Sequence, residues 1–157
     1  LKRLKDFGRS GGGNDIHDSI GWNFKFTDIQ AVIGIEQMKK LQWRVDRKKD
    51  ILKFFMELLK DVKEVHFFEQ DLEHTTPWFI DCLVEDRENL MAFLKENNVG
   101  TRVMYPPINK QEAYQVPGEH PVSNLVGEKG LWLPSAGQLT DEEIRYSCEQ
   151  IAEFYQK

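Results

Sequence analysis

The strongest constraint in this sequence is an apolar stripe of helical period that starts at Thr27 and runs to about residue 60. Thr27 and Gln30 have the spacing of a capping box. Ile29, Val32, Ile33, Leu41, Val45, Leu52, Phe55 and Leu59 then recur at intervals that fit one helix face. At 1.5 Å per residue such an element spans roughly 50 Å. A compact domain built from 157 residues does not normally hold a helix of that length. The expectation is a strut joining two lobes, either one continuous helix or two in line with a bend near Gly34 or Trp43. Lys39, Lys40, Arg44, Arg47, Lys48, Lys49 and Lys53 make the stripe's other side basic, which reads as a solvated or salt-bridged face.

Ahead of the stripe, Gly11, Gly12 and Gly13 with Asn14 and Asp15 read as an exposed loop. Their spacing matches neither the dinucleotide nor the P-loop phosphate fingerprint. The chain opens on Leu1 and reaches this polar segment almost at once, which is expected of a sequence entered midway through a longer protein.

Beyond the stripe the period changes. Val65 to Phe68 is a short strand, and Trp78, Ile80, Cys82 and Val84 alternate with Phe79, Asp81 and Leu83. Asp86 is placed to cap a helix carrying Leu90, Phe93 and Leu94. Thr101 to Tyr105 is extended until Pro106 and Pro107 stop it. Leu131 to Leu133 forms a last strand, closed by Pro134. Thr140 and Glu143 then make a second capping box before Ile144, Cys148, Ile151 and Phe154. The reading from about residue 44 onward is an α+β lobe, a small sheet covered by helices.

Charge and composition narrow the function. With 40% hydrophobic and 30% charged residues the chain is neither disordered nor a disulfide mini-protein. A net charge of -5 supplies no long-range attraction for a polyphosphate backbone, so nucleic acid is not an expected partner. No stretch of about 18 apolar residues is present, so no membrane partner is expected either, and a cytoplasmic setting follows. Cys82 and Cys148 lack C-x-x-C spacing and read as small apolar fillers in a reducing compartment. His17, His66, His74 and His120 are too scattered to suggest a metal site. Ser123 and Ser135 carry no nucleophile signature.

Two polar-aromatic segments remain. Trp22 to Asp28 places amide and ammonium groups among large rings just ahead of a helix start, where free backbone N–H groups favour an anion. Gly100 to Asn109 puts Arg102 and Met104 on one side of an extended run, with Val103 and Tyr105 on the other. An arginine fixed at a strand end can hold a carboxylate or phosphate bidentately, although an ordinary surface arginine has the same sequence.

At these residues the chain resembles the sugar-aminotransferase family, pyridoxal-phosphate enzymes of aspartate-aminotransferase fold that act on keto nucleotide sugars. The matching pieces are Gly21 to Ala31, Gly34 with Glu36 to Met38, Thr101-Arg102 with Tyr105 to Pro107, Gln111 with Tyr114, and Gly130 to Ser135 followed by Leu139-Thr140. They run in order across nearly the whole chain.

The resemblance implies the C-terminal part of a fold-type I enzyme. Residues 1–43 would be the end of the large domain, with a loop reaching across a homodimer and the start of the linking helix, and 44–157 the C-terminal small domain. It implies pyridoxal 5'-phosphate as cofactor, and nucleotide-sugar and amino-acid substrates bound at sites shared between subunits. Asn23 matches the asparagine that contacts the cofactor phosphate in the neighbouring subunit, with Lys25 beside it. Arg102, Tyr105 and Asn109 fall on the substrate side. The Schiff-base lysine of the family lies earlier in the chain, so no catalytic residue is expected here and this portion alone is expected to be inactive. Family members often carry arginine at Lys25 and histidine at Asn109. The first change keeps the charge but loses the fork, and the second removes an imidazole that shuttles protons. A lysine-lacking sugar dehydratase and a non-catalytic dimerisation lobe are the competing expectations.

Overall fold

The computed structural model describes residues 1–11, 15–114 and 116–156. The centre of the expected glycine loop, residues 12–14, lies outside them. The chain forms two compact units, Leu1–Gln42 and Trp43–Lys157.

The first unit begins with a single helical turn, α1 (Lys2–Lys5), and folds back so that Asp6 bridges Asn23 and Arg9 bridges His17. Trp22 N donates to Leu4 O at 2.7 Å and Phe24 N to Lys5 O at 2.9 Å. Gly8 sits at φ +78°, and a Cβ there would run into the Ser19 carbonyl, so only glycine permits the return. The expected capping box opens α2 (Asp28–Met38): Gln30 N donates to Thr27 Oγ1, and Thr27 N to Gln30 Oε1 at 2.9 Å. No α2 residue is buried, and Ile29, Val32, Ile33, Ile35 and Met38 are all exposed.

The strut is broken at neither expected bend. α2 ends at Met38, Lys39 and Lys40 form a turn, and α3 (Leu41–Leu58) follows. Lys40 N reaches back three residues to Gln37 O, closing the last turn tightly. Neither glycine nor proline marks this stop, and the apolar spacing runs through it unchanged, which is why periodicity reads one element.

In the second unit, β1 (Val65–Phe67), β2 (Ile80–Val84), β3 (Arg102–Val103) and β4 (Gly130–Leu133) form an antiparallel sheet in the order β1-β2-β4-β3. β1 stops one residue before the expected Phe68, and β2 starts after Trp78, which is 79% exposed. Ile80, Cys82 and Val84 alternate into the core as their spacing predicts. They meet Ile51, Leu52, Phe55 and Leu59 of α3 and its C-terminal turn, Leu90 and Leu94 of α4 (Arg87–Glu96), and Ile144, Cys148 and Ile151 of α6 (Asp141–Gln156). Both cysteines are free and buried, with their thiols pushed up to about 12 chiefly by burial.

Asp86 does not cap α4 with its carboxylate. Its backbone is left-handed (φ 47°), and the carboxylate accepts instead from Asn89 Nδ2 at 2.9 and 3.0 Å. The second capping box forms as expected, with Thr140 N donating to Glu143 Oε2 at 2.8 Å and Glu143 N to Thr140 Oγ1 at 3.2 Å. Two elements lack a periodic signature, a 3-10 turn at Ile108–Lys110 and α5 (Pro121–Lys129). No described helix is long and apolar enough to cross a membrane.

Candidate functional site

In the first unit, the segment after α1 holds Lys25. Asp6 accepts from Arg9 Nη2 at 2.5 Å and pairs with Lys25 Nζ at 3.2 Å. The Arg9 hydrogen bond, and after it that of Lys25, draws the Asp6 carboxyl below its ordinary value of 3.8. Lys25 Nζ also lies 4.8 Å from the centre of the Phe7 ring. Its ammonium is therefore a positioned group with an internal counter-ion, while the side chain stays 45% exposed. Asn23 is held through its backbone bridge to Asp6, and the rings of its two chain neighbours, Trp22 and Phe24, stack on each other with centroids 6.4 Å apart. Its exposed side-chain amide makes no hydrogen bond among the described residues.

In the second unit, β3 is shorter than the expected Thr101 to Tyr105 run, because ladder pairing is confined to Arg102 and Val103. One further bond, Met104 N to Gly130 O at 3.1 Å, carries the approach of the chains onward. Gly130 allows it, since a Cβ there would meet Met104 and the Val126 carbonyl.

Arg102 lies directly opposite Trp132 in the ladder. Its guanidinium stands 5.4 Å from the Trp132 ring centre and 5.7 Å from that of Tyr105. Tyr105 meets Trp132 edge-on at 4.9 Å, and Phe79 stacks behind the indole at 4.0 Å and 12°. Trp132 is 5% exposed, and its buried indole N–H finds no acceptor among the described residues. Arg102 has no carboxylate or carbonyl partner among them. Its donors are thus open to a ligand carboxylate or phosphate.

Asn109 is fixed by a different element. It lies on the 3-10 turn and donates through Nδ2 to Asn124 Oδ1 of α5 at 2.9 Å. The structure brings Arg102 and Tyr105 together, then, and gives Asn109 a partner in α5. Sequence reasoning missed Trp132, Phe79 and Asp6. Strand alternation carries a signal for Trp132, which must face away from the core side of Leu131 and Leu133; nothing local announces Asp6 as the counter-ion of Lys25.

A short antiparallel sheet backed by α3, α4 and α6, together with the first unit, superposes on part of known aminotransferase structures. A DegT DnrJ EryC1 StrS aminotransferase from Brucella abortus superposes with a TM-score of 0.84 and 25% identity, over 99% of this chain and 43% of that one. Spr1654 from Streptococcus pneumoniae, solved in its PLP-form, gives a TM-score of 0.84 at 21% identity, over 99% and 42%. In sequence, a GDP-perosamine synthase of Escherichia coli O157:H7 is 32% identical over 143 residues, which is 88% of this chain and 39% of the relative. Residues 1–152 match the DegT/DnrJ/EryC1/StrS aminotransferase family, and the chain belongs to it. It spans less than half the length of these relatives.

Proposed function

We propose that this chain is the C-terminal part of a pyridoxal 5'-phosphate-dependent aminotransferase that transfers an amino group from an amino acid, glutamate foremost, to a keto nucleotide sugar in the cytoplasm. The carrying observation is family membership across almost the whole chain, together with two exposed, in-place donor groups, Asn23 and Arg102. Residues 1–43 are read as the end of the large domain and 44–157 as the small domain. α2, whose apolar side chains Ile29, Val32, Ile33, Ile35 and Met38 are all left exposed, supports this division, because such side chains are covered in their working context.

The donor chemistry fits the cofactor's phosphate. The Asn23 amide donates to a phosphate oxygen without a change of charge, and Lys25 adds positive potential beside it, tempered by Asp6. Because the loop is read as crossing a homodimer, each site takes these groups from the partner subunit. When bound, the cofactor ring supplies an electron sink for breaking bonds at the amino-bearing carbon. Arg102 binds the carboxylate of the amino donor or a phosphate of the nucleotide sugar, and Tyr105 and Asn109 orient the substrate around it.

The test is full-length protein given L-glutamate and, in turn, GDP- and dTDP-linked keto hexoses. Equal amounts of 2-oxoglutarate and amino sugar are the expected products. Loss of water from the sugar with no 2-oxoglutarate would assign a dehydratase instead. No turnover and no cofactor retention would leave a dimerisation lobe.

A further inference from the structure

We propose that Trp132 is the positioning residue for Arg102, its indole face forming with the Tyr105 ring a bracket that presents the guanidinium to an anionic substrate group. The inference rests on the reading of Arg102 as a substrate-binding residue and explains how that arginine is held without spending its donors.

Three observations carry it. Arg102 and Trp132 are direct cross-strand partners, so the β3–β4 register fixes which ring lies beneath the guanidinium. The indole cannot drift, because Phe79 stacks behind it at 4.0 Å and the residue is 5% exposed. Its N–H, in addition, is buried with no acceptor among the described residues. An orphaned donor is a cost that phenylalanine or leucine would not carry, so the indole serves through its face and not through its hydrogen bond. A ring face orients a cation while leaving the N–H groups at its edge unpaired. A carboxylate would orient it by consuming them, as Asp141 does for Arg47 at 2.8 Å.

Calorimetric titration of full-length protein with L-glutamate, GDP and dTDP as separate probes tests this. Arg102→Ala should weaken at least one probe. Trp132→Leu should weaken the same probe about 10-fold and leave the others unchanged, Tyr105→Leu should weaken it about 3-fold, and Trp132→Phe, which restores an aromatic face, should recover most of the loss. The Arg102→Ala/Trp132→Leu double variant should bind no more weakly than Arg102→Ala alone. If Arg102→Ala changes no probe, the substrate reading fails and the bracket with it. If Arg102→Ala weakens binding but Trp132→Leu and Tyr105→Leu do not, the positioning role alone is overturned. Equal weakening of all three probes by Trp132→Leu, unrepaired by Trp132→Phe, would mark a merely structural residue and also overturn it. Should Trp132→Leu fail to fold, Tyr105→Leu at an exposed ring decides, with unchanged affinity counting against the bracket.

Discussion

Two arginines beside the same strand show how surroundings set a side chain's role. Arg87 donates to the carbonyls of Gly127 and Gly130 at 2.7 and 3.3 Å, closing the end of α5, and its second edge pairs with Glu88. Arg102, opposite Trp132, rests on rings and keeps its donors. The first is structural and the second is available for binding, a distinction that residue type alone does not carry. The same logic applies to the two thiols. Burial leaves Cys82 and Cys148 protonated up to about 12. The folded protein therefore holds those protons more tightly than the unfolded chain, whose thiols ionise near 9.0. Stability is insensitive to these groups below that value and falls as pH rises from it toward 12. At pH 8 a thiol-specific disulfide reagent should label neither cysteine in the folded protein and both after denaturation. Rapid labelling of either in the native state would contradict their burial.

At the scale of elements, local chemistry decides the starts of α2 and α6. Thr140 and Glu143 satisfy two backbone donors of a 16-residue helix that contributes Ile144, Cys148 and Ile151 to the core. Thr140→Ala should cost about 1 kcal/mol and Thr140→Ser much less, as read from urea midpoints. An unchanged midpoint for the alanine variant would mean the box contributes nothing. Both boxes were legible in the sequence because their partners sit three residues apart. The alternation of β2 was legible for the same reason, since its period is a property of the strand itself. What escaped the sequence depends on distant groups. The stop after Met38 leaves no breaker residue. α5 shows no buried side chain, and its closure relies on Arg87, some forty positions earlier. The Asp86 carboxylate is diverted to Asn89 by a left-handed backbone that no pattern displays. The site followed the same divide. Arg102 and Tyr105 stood out as residues, whereas the platform beneath them required the β3–β4 register.

At the scale of the whole molecule, the two units bring different chemistry to one proposed enzyme. The first offers Asn23, exposed and bridged to Asp6 through its backbone, and Lys25 anchored on Asp6. The second offers a rigid sheet with an arginine held at its edge strand. The chain belongs to the aminotransferase family, and the proposed function joins the two units by reading the loop as serving the cofactor phosphate of a partner subunit and the sheet as serving the substrate. The most direct measurement is the affinity of the full-length protein for pyridoxal 5'-phosphate, followed through the visible absorption of the bound cofactor, in the native protein and in Asn23→Ala. The account predicts tight retention in the native protein and a loss of about 1 to 3 kcal/mol in the variant, the value of a hydrogen bond to a charged phosphate. Equal affinity in the two proteins, or no retention in either, would contradict it.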